Sequence, residues 1–178
     1  FLRKDVKKIG IAPLTSMFYH GENTAHGFDD FRPEAHDSDG LLLSFASGEW
    51  LWRPLDNPRN LNVSGFQMEH PKGFGLVQRD RDFEHYQDLE SRSERRVSTW
   101  VTPRDDWGTG RVEIVEIPTN SDTNDNIALY WVPDKRPAPG EPVSFSYSML
   151  WYGDDPVRPP GGRVVATRHD GGTSKDAI

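Results

Sequence analysis

Short runs of apolar and β-branched residues, each ended by glycine, proline or a polar turn, recur along almost the whole chain. Segment 142–153, PVSFSYSMLWYG, alternates most strictly, with Val143, Phe145, Tyr147 and Met149 on one side and serines on the other. A period of two is typical of a half-buried strand in an antiparallel sheet. Such runs follow one another at intervals of about 10 to 16 residues, and they predict an all-β fold, an antiparallel β-sandwich.

Three segments predict more specific elements. Residues 41–55, LLLSFASGEWLWRPL, predict a β-hairpin around Ala46-Ser47-Gly48. Residues 82–96 do not fit a strand, and the spacing of Phe83, Tyr86 and Leu89 predicts a short helix. Residues 158–178 begin with prolines and glycines and end in small or polar residues, so we predict a linker there.

The charge and the composition argue against several classes of protein. The net charge is −7, and no run rich in lysine and arginine is present to neutralise phosphates, so neither nucleic acid nor an anionic membrane is a predicted partner. No apolar run approaches the roughly 20 residues of a membrane-spanning helix, so no stable membrane insertion is predicted. The absence of cysteine excludes disulfide bonds. The start, FLRKDVKKIG, has neither an initiating methionine nor a signal-peptide core, and we expect a longer protein around it.

The sequence contains no complete motif for a metal or a cofactor. The string DSDG, which begins at Asp37, resembles the start of a calcium loop, but Leu41 and Gly48 occupy positions five and twelve, where oxygen ligands are needed. The histidines at positions 20, 26 and 36 show no helical pairing, and such residues are more often hydrogen-bonded structural groups than zinc ligands. The chain has no nucleotide-binding loop and no cysteine nucleophile. No cofactor and no metal are therefore predicted.

Clusters of carboxylates lie in short polar segments beside apolar strands. They comprise Asp37 with Asp39, four residues of segment 78–90 (Asp80, Asp82, Asp88 and Glu90), and Asp122 with Asp125. In segment 78–90, arginines alternate with aspartates, which favours internal salt bridges. Asp125 directly precedes a predicted strand, where a side chain can project from a fixed backbone. Glycoside hydrolysis needs two such carboxyl groups, but the residue pattern alone leaves the choice of pair open.

Tryptophans offer flat surfaces for a sugar ring. Trp50 and Trp52 share one face of a predicted strand. Tryptophan in a sandwich is more often a core residue, however, so the aromatic residues by themselves do not decide between binding and packing.

Several long strings in a consistent order resemble one protein family. They are DFRPEAHDSDGL, GEWLWRPLDNP, GFGLVQRDRDFEHYQDLE, DDWGTGRVEIVEIPT and TNDNIALYWVP. Together they resemble the periplasmic glucan biosynthesis proteins G and D, the OpgG/MdoG type. The resemblance runs from about Ile9 to Arg168, which is nearly the whole chain.

The resemblance implies a place within a larger architecture. Residues 1–157 would be the later part of a large N-terminal β-sandwich of the galactose-mutarotase-like type. Residues 158–178 would begin the linker to an immunoglobulin-like domain. Part of a sandwich leaves an apolar face and open edges. The expected protein partners are therefore the remaining strands of the parent sandwich and its C-terminal domain, and the expected location is the periplasm.

The resemblance also implies an activity on β-1,2-glucan, the backbone of osmoregulated periplasmic glucans. The implied reaction is inverting endo-hydrolysis, with Asp125 of the string TNDN as general acid and Asp37 of HDSDG as general base acting through a water relay. Asp39 is assigned a supporting or sugar-contacting role, and Trp50, Trp52 and Arg81 are assigned to substrate binding. The alternative is a glucan-binding assembly factor without catalysis. Sugar isomerisation would follow from fold analogy alone.

Two further expectations concern the loops around this pair. Arg32 and Glu34 are expected to pair with each other and orient the loop that carries Asp37. Relatives often carry an aromatic residue soon after the string QDLE, whereas this chain has Ser93. If that aromatic residue supports the proton relay, its replacement weakens catalysis.

Overall fold

The computed structural model of the protein describes residues 6–24, 29–154 and 157–168. Its strands, in chain order, are β1 (Ile11–Ser16), β2 (Phe18–His20), β3 (Ala35–His36), β4 (Gly40–Ser44), β5 (Trp50–Pro54), β6 (Asn62–Glu69), β7 (Gly73–Val77), β8 (Ser98–Pro103), β9 (Thr109–Glu116), β10 (Ile127–Pro133) and β11 (Tyr147–Tyr152). Helical structure is confined to α1 (Phe83–Tyr86) and a 3₁₀ turn at 93–95 among these residues.

The strands form two main antiparallel sheets. One has four strands in the order β1-β10-β9-β6, and the other has five in the order β11-β8-β7-β4-β5. A two-stranded ribbon, β2-β3, connects them. The predicted hairpin is confirmed, because β4 pairs with β5 in register from Gly40↔Pro54 to Ser44↔Trp50. The all-β antiparallel sandwich is confirmed, while its assignment to the galactose-mutarotase-like type stays a prediction.

The core fills the space between the sheets. Leu41 and Leu43 of β4 point into it from the five-stranded sheet, and Ile114 of β9 and Trp131 of β10 point into it from the four-stranded sheet. Alternate residues of β4 therefore face opposite sides, and Leu42 belongs to a smaller cluster on the outer face. The five-stranded sheet thus carries apolar side chains on both faces.

Tryptophan rings cover part of that outer face. The ring of Trp52 lies directly over Gly40, where a Cβ atom would stand 2.1 Å from a ring carbon. The ring of Trp100 lies over Gly73 in the same way, with a ring carbon 2.4 Å from the position of a Cβ atom. Only glycine leaves room for a ring to approach the backbone so closely.

One ion pair with a buried carboxylate joins the two sheets. The carboxylate of Glu116 on β9 is fully buried and accepts hydrogen bonds from the guanidinium of Arg53 on β5. The backbone N–H of Asp56 and the amide of Asn62 donate to the same carboxylate. These donors compensate for the cost of burying its charge.

The predicted short helix is confirmed, the last strand begins later than predicted, and the linker stays a prediction. The segment that did not fit a strand holds α1, which Asp82 caps by accepting a hydrogen bond from the backbone N–H of Glu84. The last predicted strand begins at Tyr147, so residues 142–146 lie outside it. Residues 157–168 have no helix or strand, and residues 169–178 of the predicted linker lie outside the described residues.

Candidate active site and a second cavity

A groove of about 400 Å³ opens between strand β1 and the inner face of the five-stranded sheet. Both Asp37 and Asp125 line it. Other residues that line it are Thr15, Ser16, Ser38, Thr99, Arg96 and Trp151. The structure therefore brings together the two carboxylates singled out in the sequence, although 88 positions separate them along the chain.

Asp37 is held between the ribbon and the groove. Its backbone N–H donates to the carbonyl of Met17 at 2.9 Å, which fixes the start of the DSDG string. Its carboxylate forms an ion pair with Arg96, at 2.9 Å from Nε to Oδ1. Burial raises the pKa of Asp37 above its ordinary value, Arg96 acts against this, and the negative charge of Asp125 adds to it. A raised pKa makes a carboxylate a stronger base.

Asp125 projects from a loop whose next residue is locked in place. The side chain of Asn126 is buried, accepts a hydrogen bond from the backbone N–H of Phe18 at 2.8 Å and donates to the carbonyl of the same residue at 2.9 Å. It also donates to the carbonyl of Ile117. Asp125 itself is exposed, and its carboxylate accepts a hydrogen bond from Thr15 Oγ1 at 2.9 Å. An exposed carboxyl on a fixed backbone can contact a ligand in the groove.

Arg32 connects three separate segments near the groove. Its guanidinium donates to Asp30 at 2.6 Å, to Asp88 at 3.1 Å and to Asp122 at 2.6 Å. The expected pair between Arg32 and Glu34 is wrong, because these aspartates supply the partners of Arg32 and Glu34 pairs with a histidine instead. Asp122 lies three residues before the second groove carboxylate, so Arg32 helps to hold that loop.

The partner of Glu34 is His36, whose Nε2 lies 2.7 Å from Glu34 Oε2. The other ring nitrogen of His36 lies 3.0 Å from Gln78 Oε1, and the ring is fully buried. Burial alone would lower the pKa of His36, but the hydrogen bond to Glu34 and the charge of Asp39 outweigh it and raise that pKa. The prediction of a hydrogen-bonded structural histidine is confirmed at this position. Position 26 lies outside the described residues.

Asp39 is a buried structural carboxylate. It accepts hydrogen bonds from the backbone N–H groups of Arg79 and Asp80 at 3.0 and 3.2 Å, and it pairs with the guanidinium of Arg79 at 3.1 Å. Burial raises its pKa, in spite of the nearby charges of His36 and Arg79. This geometry corresponds to the supporting half of the role assigned to Asp39. Any contact of Asp39 with a sugar stays a prediction.

Trp50, Trp52 and Arg81 line a second cavity, on the outer face of the five-stranded sheet. Its volume is about 470 Å³, and its floor contains Leu42 and Val77. Leu42 lies between Leu41 and Leu43, which face the core, so the sheet itself separates this cavity from the groove. The structure thus divides the predicted site residues into two groups. It does not bring the predicted binding residues into contact with the carboxylate pair.

One group of potential metal ligands exists among the described residues. Ligand atoms of Glu34, Asp80 and His85 lie within 4.8 Å of one another. Each already has a protein partner, since Glu34 bonds to His36 and Asp80 Oδ2 lies 2.6 Å from His85 Nδ1. A network of ion pairs accounts for this group. The residues of the DSDG string have other contacts: Asp37 and Ser38 line the groove, Asp39 pairs with Arg79, and Gly40 begins strand β4.

Sequence reasoning missed Arg96, Thr15 and Trp151 as groove residues, and it missed Asn126 as the residue that fixes the loop of Asp125. They lie on four different segments, and their approach depends on the antiparallel pairing of β1 with β10 and of β8 with β11. Asn126 is the last residue of the TNDN string, and its position directly before a strand was the one sequence feature that pointed to a fixed loop. The others had no local pattern that distinguishes them from surface residues.

The family of the chain follows from a comparison with known protein families. The model of the periplasmic glucan biosynthesis protein MdoG matches residues 1–178, which is the whole chain. The chain belongs to the MdoG family. Its members take part in periplasmic glucan biosynthesis, so the MdoG resemblance of the sequence strings is confirmed. Among the described residues, no helix is long and apolar enough to cross a membrane.

Ser93 is buried beside the histidine network, and its carbonyl accepts a hydrogen bond from Gln78 Nε2 at 3.0 Å. The side-chain hydroxyl of Tyr86 accepts from the same amide group at 2.8 Å.

Proposed function

We propose that this protein is an inverting endo-β-1,2-glucanase that acts on the backbone of periplasmic glucans. The observation that carries the proposal is the presence of Asp37 and Asp125 in one groove, within a chain of the MdoG family. Hydrolysis with inversion needs one carboxyl to protonate the leaving oxygen and a second carboxylate to activate water. Among the carboxylates considered from the sequence, this pair meets that need in a space open to a polymer.

In the proposed reaction, Asp125 is the general acid and Asp37 is the general base. Asp125 is exposed on a fixed loop and can approach the glycosidic oxygen. Asp37 is partly buried, and its raised pKa favours the removal of a proton from water. The hydroxyl groups of Ser16 and Ser38 lie 2.9 Å apart in the same groove and offer a path for the proton between water and the base.

Among the described residues that line the groove, Trp151 is the one aromatic residue, and it is exposed. Trp50, Trp52 and Arg81 act, in this proposal, as a second contact region for the same long polymer on the outer face. The periplasm is the proposed location of the chain, as it is for the family.

The alternative function is a glucan-binding assembly factor that does not cut its ligand. The observation that favours it is the ion pair of Asp37 with Arg96, because a carboxylate engaged by a guanidinium is less available to water. The serine at position 93 favours it as well, if relatives use an aromatic residue there.

The deciding experiment measures the release of reducing ends from linear β-1,2-glucan by the protein and by Asp125→Asn, with glucan binding measured in parallel. Asp134→Asn is the matched control, since Asp134 is exposed and bonds to Gln67 away from the groove. We expect wild type and Asp134→Asn to be active and Asp125→Asn to bind without turnover. The configuration of the new reducing end, followed by NMR, tests inversion. Binding without turnover in all three proteins would favour the assembly factor.

A further inference from the structure

The outer cavity differs in charge from the rest of the molecule. The chain carries a net charge of −7, yet among the described residues the charged side chains that line this cavity are those of four arginines and one aspartate: Arg79, Arg81, Arg158, Arg163 and Asp154. Arginines thus outnumber carboxylates in the described lining, whereas carboxylates are in excess in the chain as a whole. A concave surface with an excess of one sign of charge attracts ligands of the opposite sign, so it matters which of these arginines is not already paired with a carboxylate.

Arg81 is the arginine best prepared to meet such an anion. Its Nη1 donates to the carbonyls of Glu94 and Arg96, at 3.2 and 2.9 Å, and its Nη2 donates to Ser98 Oγ at 3.4 Å. These neutral acceptors hold the guanidinium in place without neutralising it, and within residues 6–24, 29–154 and 157–168 no carboxylate lies within ion-pair distance of it. Of its five N–H groups, Nε–H and one on Nη2 are left for a ligand.

Arg79 has a different role, although it lines the same cavity. Its guanidinium is shared between Glu22 at 2.5 Å and Asp39 at 3.1 Å, and it lies over the ring of Trp52 at 5.3 Å from the centroid. Glu22 also accepts a hydrogen bond from the backbone N–H of Thr167 at 2.6 Å. Arg79 and Glu22 therefore fasten the C-terminal segment that forms one wall of the cavity.

The aromatic walls are rigid and partly exposed. Trp50 stacks on Trp100 with 5.6 Å between ring centroids and 21° between ring planes. Trp52 lies on the backbone at Gly40 and is held by Arg79. Flat rings fixed in this way present apolar surface without loss of side-chain entropy on binding. The face of a sugar ring, which consists mainly of C–H groups, packs well on such a surface.

We propose that the outer cavity binds a saccharide that carries an anionic group, a phosphate or a carboxylate. The sugar ring packs against Trp50 and Trp52, and the anion accepts hydrogen bonds from Arg81. This site is separate from the groove and does not depend on hydrolysis there. It extends the proposed function, because the guanidinium of Arg81 would bind an anionic group that an unsubstituted glucan does not carry.

The test is an NMR titration of the protein with glucose 6-phosphate, glucose and inorganic phosphate, on wild type, Arg81→Gln, Arg81→Lys and the control Arg111→Gln. Arg111 is an arginine of the other sheet that pairs with Glu113. We expect glucose 6-phosphate to bind at least about tenfold more tightly than either glucose or phosphate, with shifts at the indoles of Trp50 and Trp52. Arg81→Gln should bind glucose 6-phosphate no more tightly than glucose. Arg81→Lys and Arg111→Gln should keep the tighter binding of glucose 6-phosphate.

Equal affinities for glucose and glucose 6-phosphate in wild type would overturn the proposal. An advantage that survives Arg81→Gln would overturn the assignment of the anion to Arg81. Phosphate that binds as tightly as glucose 6-phosphate would overturn the saccharide part. Asp125→Asn should bind glucose 6-phosphate as wild type does, so a failure of the glucanase proposal and a failure of this proposal are separable.

Discussion

The groove and the outer cavity lie on opposite faces of one sheet and have opposite chemistry. The groove holds carboxylates and hydroxyls between two sheets, where burial raises the pKa of Asp37. The cavity holds tryptophans and arginines on the outside of the five-stranded sheet. Proton transfer benefits from partial burial, whereas recognition benefits from rigid surface and fixed charge. The contrast suggests that reaction and recognition are divided between the two faces.

The largest expected effect is that of Asp37→Asn on glucan hydrolysis. Loss of a general base lowers turnover by about 10²- to 10⁴-fold. The assay is reducing-end release at saturating glucan, and glucose 6-phosphate binding should not change, since Asp37 faces the groove. A comparable loss of turnover in Trp50→Leu would contradict the assignment of hydrolysis to the groove and of recognition to the outer cavity.

Arg32→Gln tests how the groove loops are held. The change removes hydrogen bonds to three carboxylates, and we expect the free energy of unfolding at pH 7 to fall by about 2 to 3 kcal/mol. Urea unfolding measures this difference. Glucose 6-phosphate binding by the folded variant should resemble wild type; if it is lost, Arg32 acts on both faces.

The difference in the free energy of unfolding between wild type and Arg32→Gln should depend on pH in a defined direction. Arg32 lowers the pKa of Asp30, and hydrogen bonds that include one from Arg32 lower the pKa of Asp88 despite its partial burial. A carboxyl with a lowered folded pKa stabilises the protein above its unfolded pKa, about 3.9, and this stabilisation is lost as the pH falls through the folded value. The gap between wild type and Arg32→Gln should therefore be constant near neutrality and close only in acid. A gap that widens in acid would contradict this account.

Arg96→Gln should shift the pH profile of hydrolysis. The positive charge of Arg96 opposes the rise in the pKa of Asp37 that burial causes, so its removal raises that pKa further. The acid limb of kcat/KM should move to higher pH, because the base must lose its proton to act. Arg95→Gln, a change at an exposed neighbour, serves as the control. A limb that does not move would indicate that Asp37 is not the titrating base.

The smallest expected effect is that of Trp151→Leu. Trp151 is 60% exposed, so its replacement should change the free energy of unfolding by no more than about 0.5 kcal/mol. Loss of an aromatic surface in the groove should weaken binding of linear glucan by a few-fold, about 1 kcal/mol. Calorimetric titration with wild type and Trp151→Leu makes the comparison. An unchanged affinity would remove Trp151 from the glucan-binding surface.

Local patterns predicted the fold well and the site in part. The hairpin of β4 and β5 and the short helix α1 depend on neighbours in the chain, and their patterns were legible in the sequence. The partners of Arg32 were not, because they come from segments as far as 90 positions away. Trp50 and Trp52 lie on the outer face because they pair with Ser44 and Leu42 of β4, and the alternation within β5 does not show which of its two faces is turned to the core.

The four residues from Asp37 to Gly40 serve both faces of the sheet. The first contributes its carboxylate to the groove, and the last provides the space in which the ring of Trp52 rests. A single inserted or deleted residue here would shift one of these positions by about 3.3 Å and reverse the side to which it points. Substitutions can therefore change the groove or the outer cavity separately, whereas an insertion or deletion between Asp37 and Gly40 would alter both sites together.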